Sequence, residues 1–262
     1  MAVGNRLPLS RYFYSLRLIS AFLLKCEGLH MKFISLFFAT VLLFSLSTAY
    51  ATADDIENKP LAEIQQLANE GNADAQLELA DRYYEGNGVE ENDEQAKIWY
   101  MKAAEQGNAD AQYELGVMYF DEQESAKAIP WFKKAAAQGN ADAQFQLGTM
   151  YINGFGTASN YKTAFEYIKD AAENNLPMAQ FVLSGLYIEG IGVKKNDSQA
   201  YFWFSIFQRS EKDRELTEIP EIKKALQDIE KKTQQTEKNM SQSELQESKR
   251  LQDAFMSKHN HQ

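Results

Sequence analysis

Cysteine is almost absent: Cys26 is the only one in 262 residues. It precedes the stretch expected to be removed on export, so the mature chain can form no disulfide, even in an oxidising compartment. It also leaves no cysteine beside the cleavage site to carry a lipid. Histidine is nearly as scarce. His30, His259 and His261 all lie outside the repeats described below, which leaves the folded body without a Ser-His-Asp, Cys-His or Cys/His zinc arrangement. A basic surplus is missing as well. Residues 54–262 carry 22 Lys and Arg against 36 Asp and Glu, a net charge of −14. Such a surface repels phosphate backbones, which excludes nucleic acid as the expected partner and disfavours an anionic membrane surface. Finally, no apolar run is long enough to span a bilayer comfortably. The longest, Phe33 to Leu46, has about 14 residues, short of the roughly 20 a transmembrane helix needs.

That run has the build of a secretory signal peptide instead. Lys32 supplies the positive start, Phe33–Leu46 the apolar centre, and Ser47 to Ala53 the small-residue exit. Ala49-Tyr50-Ala51 and Ala51-Thr52-Ala53 are the two cleavage sites of Ala-x-Ala type, so cleavage is expected after Ala51 or Ala53. Met31-Lys32 is a complete start by itself, and residues 1–30 scatter arginines among apolar residues without a pattern. Translation is therefore expected to begin at Met31. The destination is the periplasm or the extracellular space.

Internal repetition dominates residues 72–210. Asn72-Ala73-Asp74-Ala75-Gln76 recurs at Asn108–Gln112 and Asn140–Gln144, with Met178-Ala179-Gln180 as a worn fourth copy. Each copy runs on into Leu-x-x-x-Tyr (Leu79/Tyr83, Leu115/Tyr119, Leu147/Tyr151, Leu183/Tyr187). Three copies then carry Gly-x-Gly, at 86/88, 154/156 and 190/192. A second segment follows, with Ala96/Trp99, Ala128/Trp131, Ala164/Tyr167 and Ala200/Trp203. Ala75, Leu79 and Tyr83 fall on one stripe of a helix, and Ala96, Trp99 and Ala103 on one stripe of another. Small alanines let the helices approach while the aromatic residue fills the gap between repeats. Glycine ends each helix because it tolerates the left-handed conformation there. One such helix pair cannot bury its own apolar face, so the pairs must stack.

The pattern Ala-x-x-x-Leu-Gly-x-x-Tyr, then Gly-x-Gly-Val, Lys-Ala, Trp-Tyr and Lys-Ala-Ala, resembles the Sel1-like repeat (SLR) family, relatives of the tetratricopeptide repeat. Ala111, Leu115, Gly116 and Tyr119 carry its first half. Gly86, Gly88, Val89, Ala96, Trp99, Tyr100, Lys102, Ala103 and Ala104 carry its second. The resemblance implies an all-α, right-handed α-solenoid of helix–turn–helix repeats, at 72–107, 108–139, 140–175 and 176–210. It also implies a protein that assembles with other proteins, without cofactor and without catalysis. The second copy departs from the pattern: residues 121–126 lack the glycine turn. The fourth ends Phe207-Gln208 where others have Ala-Ala, so regular stacking is expected to stop there.

Residues 54–71 form a capping helix, with Leu61, Ile64, Leu67 and Ala68 closed by Gly71. Residues 211–262 form a polar helical cap. In it Ile222, Leu226 and Ile229 keep helical spacing to about Thr233, a mobile connection follows between 230 and 250, and Ser241 with Glu244 opens a last helix as a capping box. That helix places Leu245, Leu251 and Phe255 near one face, and Lys258 to Gln262 trail off disordered.

Three patterns in the sequence suggest chemistry. Ser159-Asn160-Tyr161-Lys162 is a Ser-x-x-Lys of the kind used by penicillin-recognising enzymes, but no Ser-Asp-Asn or Lys-Thr-Gly accompanies it, and its structural reading is a helix start. Glu90, Glu91, Asp93 and Glu94 lack calcium-loop spacing and read as a solvated turn. The third is a second stripe on the first helices: Leu77, Tyr113, Phe145 and Phe181 are equivalent, as are Tyr84, Phe120, Ile152 and Ile188. Asp81, Val117 and Thr149 stand between them, at a position where the fourth copy has Gly185. In tetratricopeptide-like stacks the first helices line the concave surface. The stripe would then form an aromatic groove for a peptide or partner helix, or else only pack repeats together. The expected function is an exported protein-binding scaffold. The alternatives are an envelope enzyme or binder acting on β-lactams or cell-wall fragments, and a secreted effector that binds host proteins.

Overall fold

Asparagine decides where most of the helices begin. Asn72, Asn108 and Asn140 hold extended backbone, and their side chains accept the N–H of Ala75, Ala111 and Ala143 at 2.8, 2.9 and 2.8 Å. Each thereby satisfies a donor that the first helical turn leaves unpaired. Asn92, Asn160 and Asn196 do the same for the second helices of repeats one, three and four. The resulting elements are α1 (Leu61–Asn69), α2 (Ala73–Glu85), α3 (Asp93–Glu105), α4 (Ala109–Asp121), α5 (Ser125–Ala137), α6 (Ala141–Asn153), α7 (Tyr161–Glu173), α8 (Pro177–Glu189) and α9 (Asp197–Arg209). They are followed by α10 (Pro220–Asn239) and α11 (Gln242–His259). The computed structural model describes residues 56–210 and 220–259, and Leu61–Asn260 make one compact unit. Helix packs on sequence-adjacent helix throughout the repeats, an all-α solenoid. The signal peptide, the start at Met31, Cys26, His30 and His261 lie outside the described residues.

The core follows the expected stripes with one shift. Ala75, Leu79, Ala96 and Ala103 are buried, and so are their counterparts in repeats two and three. The large side chain that closes each helix pair, however, is the residue after the Trp/Tyr position: Tyr100, Phe132, Ile168 and Phe204 are all buried. They lie four residues after the alanine that recurs in each repeat, on the side that faces the first helix. Trp99 and Trp131 sit half-buried toward the neighbouring repeat, each with a lysine over its ring, Lys102 at 3.5 Å and Lys134 at 3.7 Å.

The glycine turns have two roles. Gly86, Gly154 and Gly190 cap their helices in the left-handed region at φ 70°, 75° and 74°. The second glycine serves stacking: a side chain on Gly156 would stand 2.5 Å from the Ser125 carbonyl carbon, and one on Gly192 would collide with the Tyr161 carbonyl. The turns of repeats three and four thus lie on the start of the second helix of the preceding repeat, while Gly88 in repeat one has open space around it. Repeat two, without these glycines, turns through Gln123 at φ 62°, and α5 begins with no side-chain cap.

A ladder of buried amides runs through the stack. Gln76 donates to the Ala68 carbonyl at 3.0 Å and accepts from Gln106 at 2.7 Å. Gln112 and Gln144 repeat this, donating to Ala104 and Ala136 and accepting from Gln138 and Asn174. Gln180 donates to Ala172, but the equivalent of Gln106 is now Ser210, whose hydroxyl turns back to the Phe207 carbonyl. Gln180 Oε1 is left buried without a partner among the described residues. Stacking stops here, as expected from Phe207-Gln208.

The C-terminal cap differs from its expected layout. The connection between 230 and 250 shrinks to Met240 and Ser241, because α10 continues to Asn239. The capping box forms: Glu244 accepts the Ser241 N–H at 2.8 Å, and Ser241 Oγ accepts the Glu244 N–H at 3.3 Å. Leu251 points outward, since docking of Phe255 on Trp203 turns Ser248, Gln252 and His259 inward instead. His259 is therefore ordered, its Nδ1 2.8 Å from the Phe255 carbonyl oxygen, where a disordered tail was expected from 258 onward.

Candidate functional site

The second stripe of the first helices is partly packed and partly open. Leu77 rests on the α3/α4 core. Tyr113, Val117 and Phe120 rest on the α5/α6 core, with Tyr113 5.9 Å from Phe132. Phe145 and Ile152 rest on the α7/α8 core. Each of these side chains therefore wedges between its own helix and its neighbours with part of its surface left to solvent. Asp81 and Thr149 are half-buried beside them, and Tyr84 is 44% exposed.

In repeat four the stripe is closed. Phe181 and Ile188, expected to line an open groove, are each only 8% exposed. The reason is α10: Leu226 and Ile229 pack against the Phe181, Phe204 and Phe207 cluster with Met178 and Val182. Ile229 Cδ1 lies 3.6 Å from where a side-chain carbon on Gly185 would stand, so the glycine makes room for it. Lys232 Nζ pairs with Glu189 at the edge of the same face. The protein's own amphipathic helix thus occupies the stripe positions that repeats one to three leave uncovered.

Asp81 of the expected stripe is joined on the open part by acidic groups that the spacing did not single out. Asp81, Asp110, Glu114 and Asp142 come from α2, α4 and α6 and lie close enough to repel one another. Burial, then the charges of Asp81, Asp110 and Asp142, push the Glu114 carboxyl up to about 7. Burial pushes Asp81 up to about 6, against the pull of a 2.6 Å hydrogen bond donated by Tyr100. Burial and Asp110 raise Asp142. The Tyr113 hydroxyl is pushed up to about 12 by burial and by Asp142, Glu114 and Asp121. Asp110 accepts from Asn140 at 3.0 Å, while Glu114 and Asp142 face no cation among the described residues. One signal was legible: the Asp of Asn-Ala-Asp-Ala-Gln recurs at 74, 110 and 142, and the fourth copy has Met178 there.

The other candidates stay apart from this face. Ser159 and Lys162 are exposed at the start of α7, where Asn160 between them is the helix cap, accepting from Thr163 N–H at 3.1 Å. Glu90, Glu91, Asp93 and Glu94 are exposed. Among the described residues no three His, Cys, Asp or Glu side chains converge as a metal site, and no helix is long and apolar enough to cross a membrane.

Comparison with known proteins matches this architecture. The family described as Sel1 repeat matches residues 73–108, 109–140, 141–176 and 177–206, the four helix pairs found above. The structure is similar to that of a protective antigen of uropathogenic Escherichia coli displaying an SLR fold. The likeness has 32% identity and a TM-score of 0.61 and covers 83% of this chain and 48% of the antigen. The chain thus spans about half the length of that protein. It is also similar to a Sel1 repeat protein of Oxalobacter formigenes, at 32% identity and a TM-score of 0.51, covering 64% of this chain and 68% of that one. No curated protein matches the sequence.

Proposed function

The chain belongs to the Sel1 repeat family, and from that premise we propose that it is an exported, non-catalytic scaffold that holds a partner protein against the first-helix face of repeats one to three. One observation carries the reading: the same face in repeat four already holds an amphipathic helix, α10, on Phe181 and Gly185. A surface built by repetition offers the equivalent seats around Leu77, Tyr113 and Phe145 to a second such segment. Export rests on the signal-peptide pattern from Met31 to Ala53. The lack of catalysis rests on the exposure of Ser159 and Lys162 and on a scaffold family.

The test uses Tyr113→Ala combined with Phe145→Ala, and separately a photo-crosslinking side chain at Thr149 or at the exposed Ile98 of α3. Capture of one partner from the envelope should be lost in the double variant and should be seen from position 149 but not 98. Equal capture from both positions, or a loss of capture matched by unfolding in circular dichroism, would place the stripe in the core rather than in a groove. Amino-terminal sequencing of periplasmic and supernatant fractions reports export, with a first residue of Thr52 or Asp54 expected.

A further inference from the structure

We propose that the segment bound by repeats one to three is a basic amphipathic helix, one that sets aliphatic side chains on the Tyr113–Phe145 stripe and aims lysine or arginine at Asp81, Glu114 and Asp142. This deepens the scaffold reading and rests on it.

The four repeats act as an internal comparison. Where the face is covered by α10, the repeat-equivalent positions are apolar or small: Met178 stands where the others have Asp74, Asp110 and Asp142, Val182 where they have Glu78, Glu114 and Gln146, and Gly185 where they have Asp81, Val117 and Thr149. Where the face is open, six of those nine positions hold acids. The covered end therefore shows the shape of an occupant, and the open end shows its charge. The occupant of the covered end is a helix seated by Leu226 and Ile229, three residues apart, with Lys232 one turn on and paired with Glu189. The open end continues that face with the same half-exposed apolar seats. Its carboxylates lie close enough to repel one another, Asp81 and Glu114 half-buried and Asp142 exposed, with no counter-charge on Glu114 or Asp142 among the described residues. Glu78, by contrast, is neutralised by Arg82 at 2.7 Å, whereas Asp81 is held by the Tyr100 hydroxyl and Glu114 and Asp142 face no cation among the described residues.

Like charges held together in a partly desolvated groove repel one another, and an incoming cation removes that repulsion as well as gaining its own attraction. Selection among helices with the same apolar face therefore falls to charge, with acidic helices rejected. An acidic partner would add to the repulsion already present.

The experiment measures fluorescence anisotropy of two dye-labelled helical peptides on the full mature chain. Both peptides carry leucines at i, i+3 and i+7; one has lysine and the other glutamate at the flanking positions. The lysine peptide should bind at least about tenfold more tightly, and raising salt should weaken it as ion pairs are screened. Asp81→Asn with Glu114→Gln should erase the preference. Asparagine at 81 still accepts from Tyr100, and circular dichroism checks that the fold is kept. Tyr113→Ala should weaken both peptides alike. Equal binding of the two peptides by the unaltered protein, or a preference that survives the double variant, overturns the basic occupant while leaving the groove. Failure of both peptides to bind overturns the groove as well.

Discussion

At the scale of single residues, two glycines inside helices make room for the large side chain of the paired helix. Gly116 lies where a Cβ would stand 2.6 Å from the Phe132 ring, and Gly148 where one would stand 2.5 Å from Ile168 Cδ1. Helix propensity alone favours Gly116→Ala by about 1 kcal/mol. Phe132 is fully buried and has nowhere to go, so overpacking of about 1–3 kcal/mol should exceed that gain. The expected outcome is a lower midpoint in urea for Gly116→Ala, and a higher midpoint would show that the ring can shift. The buried amides follow similar local logic. Gln112 is paired on both sides, whereas Gln180 already has an unpaired oxygen, so the end of the ladder is its weakest rung.

At the scale of elements, the turn inside repeat two is built against local preference. Its turn forces Gln123 into the left-handed region at φ 62°, and α5 starts from Glu124 without a cap. A β-carbon there costs about 1–2 kcal/mol, part of which glycine returns through its freer unfolded chain. Gln123→Gly should raise stability by about 0.5–1 kcal/mol, measured by chemical denaturation. Asn175 holds the corresponding conformation at the end of repeat three, φ 65°, but its side chain accepts from Gln180 at 3.2 Å, so the same exchange should gain less there. The absent glycine pair was visible in the sequence, while the residue that took over its conformation was not.

At the scale of the whole molecule, the acidic face links folding to pH. Glu114 and Asp81 have carboxyls raised from ordinary values of 4.5 and 3.8 to about 7 and about 6. A raised value means the folded chain holds its proton more tightly than the unfolded chain. The stabilisation is therefore complete below about pH 4 and is lost as pH rises through 6 to 7. The melting temperature should be higher at pH 5.5 than at pH 8, and Glu114→Gln should flatten the difference. A protein equally stable at both values would mean that water reaches this face freely. Loading the groove with a basic peptide should reverse the trend by drawing the protons off.

Periodicity by itself determined the fold. Alanines at helical spacing, asparagine caps and glycine stops are local signals, and four copies of them leave only stacking as a way to bury the apolar stripes. The stripe of Leu77, Tyr113 and Phe145 was legible for the same reason. Its occupancy was not. Whether Phe181 faces water depends on α10, some 45 residues further along the chain, and hydrophobic spacing does not encode what lies across a surface. The acids were hidden in another way. Asp81 stood on the stripe, but nothing in the spacing set Glu114 and the acids of neighbouring repeats beside it, and only the side-by-side stacking of α2, α4 and α6 brings Asp81, Asp110, Glu114 and Asp142 into one field. Electrostatic character depends on distance and burial, and both of these exist only after folding.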